Sequence, residues 1–162
     1  MIKVFALQDT RAKEFSDMFA AYYKELGCED ETEHLVGEYI IPDLLAGLLK
    51  VDLLSEEDVL CGFAIYQIDK SGNEWNFKEG AGDIREIYVI PPRRRKGLGK
   101  FLLYSAEMRL REAGAESAYC VPDELSVPFF TACGYTKTDE ACDELDGFVY
   151  LKSDLKNTEC GR

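Results

Sequence analysis

The sequence predicts an α/β (α+β) protein, a sandwich with a central, mostly antiparallel mixed sheet of about seven strands and helices on both faces. Two observations indicate this class. Apolar residues recur at helical spacing in some segments and at strand spacing in others, and glycine or proline separates them. The elements follow in the order strand, helices and strand meander, then strand, helix, strand, helix and two strands. With 162 residues, the chain has the length of one domain.

The N-terminal part is predicted to contain one strand and two helical segments. Residues 2–7 form the strand. The first helix ends at Gly27, and its apolar residues recur every three or four positions. They are Phe15, Met18, Phe19, Tyr22, Tyr23 and Leu26. The second helical stretch covers residues 34–49 in pieces, because Pro42 is tolerated only in the first turn of a helix.

A β-meander is predicted next. The pattern predicts strands at residues 48–54 and 59–68, joined by the polar turn 55–58. A glycine-containing connection over residues 70–82 leads to the next strand, residues 84–90. Two consecutive prolines end that strand, since proline cannot donate a ladder hydrogen bond.

A longer helix and four shorter elements complete the prediction. From Leu98 the apolar residues at positions 98, 102, 106 and 110 hold one helical face, and Gly114 stands where a C-terminal cap belongs. A strand, a short helix and two strands follow, at residues 115–121, 126–133, 135–139 and 147–152. We expect residues 1–156 to form a single domain and residues 157–162 to form a disordered tail.

Composition limits the kinds of partner. The formal net charge is −12, with 31 acidic and 19 basic residues. No apolar stretch approaches the roughly 18 to 20 residues that span a bilayer, and no basic segment followed by an apolar core marks an export signal. We therefore expect a mature, soluble, cytoplasmic protein with neither membrane nor nucleic-acid partners.

The cysteines predict neither a metal site nor disulfides. No pair has the C-x-x-C spacing, and the single histidine, His34, is distant in sequence from all but one of them. Free thiols in a reducing cytosol are expected. The cysteines are Cys28, Cys61, Cys120, Cys133, Cys142 and Cys160.

The basic segment 93–100, Arg-Arg-Arg-Lys-Gly-Leu-Gly-Lys, lies between a predicted strand and a predicted helix. The first N–H groups of a helix lack intrahelical partners, so an anion can bind them. Gly97 and Gly99 have no Cβ, which lets a phosphate approach the main chain, and either can adopt the positive φ that a cradle of N–H groups needs. Charge-assisted donors come from Arg94, Arg95, Lys96 and Lys100. The segment is a candidate pyrophosphate site.

Spacing excludes two other phosphate-binding loops. A dinucleotide fingerprint needs a third glycine where this chain has Leu102. A P-loop needs glycine at position 94 and serine or threonine at position 101, which hold Arg94 and Phe101. A nucleic-acid patch is disfavoured, because a net charge of −12 would repel a polyphosphate backbone elsewhere. A small anionic cofactor fits better.

The segment and its flanks resemble the GNAT superfamily of N-acetyltransferases. The central motif of that superfamily is Arg or Gln, two residues, Gly, one residue, then Gly or Ala, and Arg94, Gly97 and Gly99 follow this spacing. The preceding strand end also matches, with Ile87, Tyr88, Val89, Pro91 and Pro92. The resemblance is good over residues 83–135, whereas earlier residues match only in the order of elements. It implies a GNAT-type sandwich and one N-acetyltransferase domain over residues 1–156.

The resemblance implies acetyl-CoA as the acetyl donor, and no metal. Backbone N–H groups over residues 95–100, Leu98 among them, would hold the pyrophosphate. The edge of the strand before the motif would bind the pantetheine arm like an added strand, and the superfamily splays this strand from the next one. Its residues are Ile87, Tyr88 and Val89. Further cofactor-binding positions are Asp123, where the family often has asparagine, and Phe130.

The catalytic groups follow from the resemblance and from the chemistry. By family analogy the N–H of Val89 donates to the developing oxyanion, and a β-bulge would aim it. An alkylammonium with a pKa of about 10.4 must lose a proton before it attacks, and Asp83 or Glu86 is the candidate base. Strand alternation puts Asp83 on the side of Val89 and Glu86 on the other face, unless a bulge intervenes. Each carboxylate is equally well explained as a solvated strand residue.

One position departs from the family pattern. Phe130 stands where a tyrosine usually protonates the leaving thiolate. Phenylalanine cannot donate a proton, so another hydroxyl, water or unassisted departure must serve. The candidate hydroxyls are Tyr88, Tyr104 and Tyr119. A fourth alternative is a protein that binds CoA without catalysis.

The sequence therefore predicts an N-acetyltransferase that transfers the acetyl group of acetyl-CoA to a primary amine of a small molecule or peptide, by direct attack in a ternary complex. The alternative is a non-catalytic acyl-CoA-binding sensor or interaction module with a degenerate active site. Acidic residues cluster at positions 29–33 and 139–146, and they form solvated faces by default or attract a cationic amine. The sequence allows a homodimer without requiring one.

Overall fold

The structure is a computed structural model that describes residues 1–28 and 32–157. Its strands within these residues are β1 (Ile2–Ala6), β2 (Lys50–Glu56), β3 (Val59–Ile68), β4 (Gly82–Val89), β5 (Ala118–Cys120), β6 (Thr136–Cys142) and β7 (Gly147–Lys152). The α-helices are α1 (Ala12–Glu25), α2 (Thr32–Leu35), α3 (Ile41–Leu45), α4 (Leu98–Glu112) and α5 (Val127–Ala132).

The strands form one mixed sheet of seven strands in the order β1-β2-β3-β4-β5-β7-β6. β1 pairs with β2, β5 with β7 and β6 with β7 in antiparallel fashion, whereas β4 and β5 run parallel. A parallel pair needs a crossover connection, and α4 lies in the one between β4 and β5. The predicted α/β class with a mixed sheet is confirmed.

The chain folds as two compact units. The first contains Met1–Ile65 and Glu86–Leu102, and the second contains Tyr66–Arg85 and Leu103–Arg162. Each has a cluster of buried apolar residues. The expectation of a single domain stays a prediction. Of the expected tail, Asn157 alone lies within the described residues, at the end of a short 3-10 helix.

The core of the first unit forms where α1 packs against the sheet. Phe15 and Phe19 of α1 are buried, and their ring centroids lie 5.3 and 5.8 Å from that of Phe63 in β3. Tyr22 lies 5.7 Å from Phe63 and 5.1 Å from Tyr88 in β4. The apolar spacing of α1 thus turns one helix face to the sheet, and burying each phenylalanine contributes roughly 1.5–3 kcal/mol.

The segment before β2 is helical through α2, a π-helix and α3. The π-helix is Val36–Ile40, and the N–H of Ile41 donates to the carbonyl five residues earlier. This wider turn lets the helix continue past Pro42, which has no N–H and whose ring would crowd a carbonyl in the preceding turn. Pro42 lies in the first turn of α3, as predicted. The predicted continuation to residue 49 is wrong, since α3 ends well before it.

A two-residue turn joins β2 and β3. Glu57 and Asp58 have positive φ values of 53° and 64°, as the tightest hairpins require. Lys3 donates to Asp58 at 3.0 Å, and this hydrogen bond holds the pKa of Asp58 below its ordinary value. The predicted strands at residues 48–54 and 59–68 are confirmed, with β2 displaced by two residues toward the turn.

A buried carboxylate orders the loop between β3 and β4. Asp69 is fully buried, and its carboxylate accepts hydrogen bonds from both side-chain and backbone donors. The donors are the Gln67 amide at 2.8 Å, the Phe77 and Lys78 N–H groups at 3.0 and 2.9 Å, and the Tyr119 hydroxyl. Because these donors come from both sides of the loop and from β5, the predicted connection over residues 70–82 is an ordered structure.

Two later strands differ from their predicted bounds. β5 has three residues where the sequence predicts a strand over residues 115–121. The N–H of Ala115 instead donates to the carbonyl of Leu110 at 3.0 Å and closes the end of α4. β6 runs to Cys142 rather than to residue 139, with a register shift that follows Lys137.

The described cysteines carry free thiols, and three of them are buried. Burial and the charge of Asp83 raise the pKa of Cys120.

None of the helices in the described part of the chain is long and apolar enough to cross a membrane.

Candidate active site

The loop before α4 has the backbone of an anion cradle. Arg95 and Gly97 have positive φ values of 64° and 80°. The N–H of Phe101 donates to the carbonyl of Gly97 at 3.0 Å, so the N–H groups of residues 98–100 come before the first intrahelical bond. Left-handed residues in such a loop turn successive N–H groups toward one side, which is how a nest binds an anion.

The two glycines and Leu98 divide their roles. Gly97 adopts the positive φ that the sequence predicts for one of them. Gly99 lies in the first turn of α4, and it has no Cβ that would keep a ligand away from the main chain. Leu98 is 2% exposed, so its side chain belongs to the core and only its backbone can reach a ligand. The left-handed Arg95 was not predicted, because residues other than glycine rarely adopt this conformation.

The cations of the basic segment fall into two sets. Those without an ion-pair partner among the described residues are Arg95, Lys96 and Lys100, all exposed. The other two are paired, Arg93 with the carboxylate of Glu56 and Arg94 with that of Glu25. The charge available to an anion is therefore concentrated beside the N-terminus of α4, where the helix dipole also favours negative charge.

Arg94 is bound by the protein's own groups. Its Nε donates to the carbonyl of Val89 at 2.7 Å, and its Nη2 donates to Glu25 at 2.8 Å. The guanidinium lies over the ring of Tyr88, 5.4 Å from the centroid. The sequence predicts this side chain as a phosphate donor, but in the structure its donors fix the end of β4 to α1.

Glu25 on α1 connects these groups. Its Oε1 accepts from the hydroxyl of Tyr88 at 2.6 Å, while its Oε2 accepts from Arg94. Partial burial would raise the pKa of Glu25, but the hydrogen bonds from Tyr88 and Arg94 together outweigh it and hold that pKa below its ordinary value.

Tyr88 is a poor proton donor in this arrangement. Burial first, and then the Glu25 carboxylate, raise the pKa of Tyr88 to about 12. The thiolate that needs a proton has a pKa of about 8.5, so transfer from this hydroxyl would be strongly uphill. The contacts thus argue against the predicted catalytic role of the Tyr88 side chain.

The end of β4 presents one edge away from β3. The N–H of Ile90 donates to the carbonyl of Cys61 in β3 at 2.8 Å. Because the described peptide bonds are trans, the carbonyl of Val89 in the same peptide unit points the other way, to Arg94. In an extended strand the N–H and C=O of one residue point to the same side, so the N–H of Val89 also faces away from β3. This direction suits a donor to a ligand.

Asp83, in the second unit, is a buried carboxylate. It is 5% exposed and lies opposite Tyr119 in the parallel register of β4 with β5. Its negative charge acts together with burial to raise the pKa values of Tyr119 and Cys120. The interpretation of Asp83 as a solvated strand residue is therefore wrong.

Glu86, in the first unit, is half-buried and accepts a hydrogen bond from the hydroxyl of Tyr22 on α1. The ring of Tyr22 also packs on Tyr88. Glu86 and Tyr88 thus share the face of β4 that turns to α1, as strand alternation predicts. Since Tyr22 binds it, Glu86 is more than a solvated strand residue.

Phe130 and Asp123 support the structure of the second unit. Phe130 is 4% exposed, and its ring centroid lies 5.1 Å from Phe129 and 5.4 Å from Tyr135. Asp123 accepts from the N–H of Ser126 at 2.8 Å and so stabilises the start of α5. Their expected part in binding the cofactor stays a prediction.

The other candidate hydroxyls differ in their partners. The hydroxyl of Tyr119 donates to Asp69 and accepts from Trp75 at 3.2 Å, and burial raises its pKa well above the ordinary value. Tyr104 on α4 is half-buried. Of the three candidates, Tyr104 alone makes no hydrogen bond to a carboxylate within the described residues.

The acidic clusters provide no metal site in the part of the chain that the structure describes. Of the cluster at positions 29–33, residues 29–31 lie outside the described residues. The cluster at 139–146 is exposed, and Glu140 pairs with Lys78 at 2.9 Å. No group of three or more His, Cys, Asp or Glu side chains there is arranged to hold a metal ion.

A model of the acetyltransferase (GNAT) family matches residues 11–135 of the chain. The matched region contains α1, β4 and the basic loop. The chain belongs to the GNAT family. The resemblance inferred from Arg94, Gly97 and Gly99 is therefore confirmed.

Solved structures of GNAT proteins share the fold. The PaiA N-acetyltransferase of Thermoplasma acidophilum in complex with coenzyme A is 14% identical, with a TM-score of 0.75 over 94% of this chain and 99% of that one. A predicted acetyltransferase of Clostridium acetobutylicum with acetyl-CoA is 21% identical, with a TM-score of 0.72 over 88% and 94% of the two chains. A GNAT acetyltransferase of Brucella melitensis with acetyl-CoA is 16% identical, with a TM-score of 0.65 over 94% and 88%. No curated protein matches the sequence.

The sequence pattern did not predict the α1 partners of the GNAT motif. It predicted Tyr22 only as an apolar residue of the first helix and assigned no role to Glu25, although residues three apart share a helix face. They bind Glu86 and Arg94, which lie 64 and 69 residues further along the chain. Contacts at such separations leave no periodic signal in a single sequence.

Proposed function

We propose that this GNAT protein is an N-acetyltransferase that moves the acetyl group of acetyl-CoA to a primary amine of a small molecule or peptide, by direct attack in a ternary complex. One observation carries the proposal. Within the first unit, the outward N–H of Val89 is followed directly along the chain by the cradle at the start of α4. A CoA thioester needs both features on one segment, because it joins a thioester to a pyrophosphate. The CoA-bound GNAT neighbours support the proposal.

The residues of the first unit fit this cosubstrate. The main-chain N–H groups of residues 95–100 face the pyrophosphate, and Lys96 and Lys100 add charge. The edge of β4 at residues 87–89 pairs with the amide groups of the pantetheine arm, as an added strand would. When bound, acetyl-CoA supplies an activated acetyl group.

The base is placed at Glu86. An acceptor ammonium with a pKa of about 10.4 must give up a proton before attack, and a half-buried carboxylate can take it directly or through water. Tyr22 holds the Glu86 carboxylate in position. Asp83 is the competing candidate, but at 5% exposure its carboxylate is far less accessible to an entering amine.

The negative charge that develops during transfer is stabilised mainly by a backbone N–H group. The N–H of Val89 stabilises negative charge that develops on the thioester oxygen. With Phe130 at the usual tyrosine position, and with the Tyr88 and Tyr119 hydroxyls bound to carboxylates, the thiolate takes its proton from Tyr104 or from water, or leaves unprotonated. Acid assistance contributes about 10²–10⁴ in rate, so its loss slows the reaction without preventing it.

The acceptor is proposed to be cationic. A formal net charge of −12 attracts positively charged amines, whether small molecules or basic peptide ends, and disfavours nucleic acid. We place the reaction in the cytoplasm, with no part for a membrane.

Thiol release from acetyl-CoA across a panel of amines tests the proposal. The expected result is release above the hydrolysis blank with at least one primary amine, and mass spectrometry should find that amine acetylated. Release that no amine raises above the blank contradicts acetyl transfer.

A non-catalytic acyl-CoA sensor is the second candidate, and the absent tyrosine at position 130 favours it. Calorimetry with CoA distinguishes the two in the same experiment. Tight CoA binding without transfer to any amine supports the sensor, whereas binding together with transfer supports the enzyme.

A further inference from the structure

Gly62 of β3 lies unusually close to the strand end that carries the proposed oxyanion donor. A Cβ at position 62 would stand 2.5 Å from the carbonyl oxygen of Tyr88, closer than Cβ atoms approach other atoms in proteins. The φ of Gly62 lies outside the left-handed region, so its backbone conformation would accept another residue. The contact with this carbonyl is what excludes a side chain.

The carbonyl of Tyr88 and the N–H of Val89 belong to one trans peptide unit, so they point in opposite directions. With the carbonyl directed at Gly62, the N–H is directed away from β3. The next peptide unit points the opposite way and is also held by β3, because the N–H of Ile90 donates to the carbonyl of Cys61 at 2.8 Å. Two successive residues of β3 therefore set the direction of the Val89 N–H.

We propose that Gly62 is a positioning residue for acetyl transfer. Its missing side chain lets the Tyr88–Val89 peptide lie against β3, and this aims the N–H of Val89 at the thioester oxygen. The inference rests on the proposed function. A methyl group at position 62 would push the peptide out or tilt it, and displacing a catalytic group by about 1 Å can cost about 10²-fold in rate.

A packing role for Gly62 makes a different prediction. The next atom that its Cβ would meet is Cδ2 of Leu54, at 3.2 Å. That atom ends a flexible side chain and can move aside, whereas the Tyr88 carbonyl cannot move without turning the Val89 N–H. Shortening Leu54 to valine therefore relieves only the side-chain contact.

The test compares Gly62→Ala with the double variant Gly62→Ala/Leu54→Val. We expect kcat for acetyl transfer to fall about 10²-fold in both, while KM for acetyl-CoA and the calorimetric Kd for CoA stay within about threefold of wild type. The matched control is Gly147→Ala in β7, whose Cβ would meet Cγ1 of Val121 at 3.0 Å. This control is expected to keep the wild-type kcat.

Three results would overturn the role of Gly62. The first is a folded Gly62→Ala protein with wild-type kcat, and the second is recovery of kcat in the double variant. The third is failure of both variants to unfold cooperatively on heating, since the glycine would then be needed for folding. Failure of the proposed function is distinguishable, because it is seen in the wild type as CoA binding without acetylation of any amine. In that case the role of Gly62 falls with it.

Discussion

Glu25 is a single carboxylate on α1 that accepts from both Tyr88 and Arg94. Arg94 in turn donates to the carbonyl of Val89, the residue whose N–H is the proposed oxyanion donor. The arginine of the family motif thus shapes the strand end before the phosphate cradle. Its charge is balanced within the protein, so the proposed cosubstrate would have to use the cations of the next residues along the chain.

Tyr88 is expected to ionise late. Its pKa of about 12 lies above the ordinary value, so the folded protein holds this proton more tightly than the unfolded chain does. The resulting stabilisation is complete below pH about 10, the ordinary tyrosine pKa, and is lost as pH rises from there through the folded value. Tyrosinate absorbance after a rapid pH jump measures the pKa of Tyr88 in the folded protein. Tyr88→Phe should remove one component near pH 12, and loss of a component near pH 10 would contradict the assignment.

Replacing the two candidate bases by amides tests their roles against each other. Glu86→Gln is expected to lower kcat/KM for the amine about 10²-fold at neutral pH, with less loss near pH 10.4, where the free amine is plentiful. Asp83→Asn is the matched variant. Any loss of kcat/KM that it causes should be as large at high pH as at neutral pH. A pH-dependent loss in Asp83→Asn, with Glu86→Gln near wild type, would move the base to Asp83.

Among the helices and strands, the segment from β4 to α4 was predicted almost completely from the sequence. Its signals are local: strand alternation, two prolines, a Gly-x-Gly turn and helical periodicity up to Gly114. The structure has the strand at Gly82–Val89 and the helix at Leu98–Glu112. Local chemistry determines these boundaries, so one sequence suffices to place them.

Other features depend on distant contacts and could not be predicted. β5 is short because residue 115 closes α4, and the helix passes Pro42 because a π-turn accommodates it. The partners of Glu86 and Arg94 come from α1, and the space beside Gly62 exists only once β3 and β4 are paired. Each of these is a tertiary property that no spacing rule encodes.

The cradle at the start of α4 is tested by Gly99→Val. A branched side chain in the first turn would occupy the space that the pyrophosphate needs, and we expect Kd for CoA to rise about 10²-fold, or about 2.8 kcal/mol. The control is Gly37→Val, since a Cβ at Gly37 meets no atom within 4 Å. Calorimetry measures both. Unchanged affinity in a folded Gly99→Val protein would mean that the pyrophosphate binds elsewhere.

At the scale of the whole molecule, the acidic charge is the property that bears on the acceptor. The formal net charge of −12 comes from 31 acidic and 19 basic residues. Such an excess attracts cations over a range set by ionic strength. The α/β class, the mixed sheet and the family followed from the sequence. The acceptor did not, because the motif residues that carry the resemblance, Arg94, Gly97 and Gly99, concern the cofactor and not the amine.

Salt dependence tests this electrostatic preference. With acetyl-CoA saturating, kcat/KM for a polyamine is expected to fall about tenfold as added salt shortens the Debye length from about 30 Å to about 8 Å. An acceptor with one amine and no other charge should change much less. Equal salt dependence for the two acceptors would show that the net charge does not select the substrate.

The proposed function requires acetyl-CoA to bind along the end of β4, with its thioester at Val89 and its pyrophosphate at the start of α4. A crystal structure of the protein with acetyl-CoA tests this placement. We expect the thioester oxygen to lie about 3 Å from the amide nitrogen of Val89 and the pyrophosphate to lie against the N–H groups of residues 95–100. A pyrophosphate bound away from these residues, or a thioester oxygen with no contact to Val89, would contradict it.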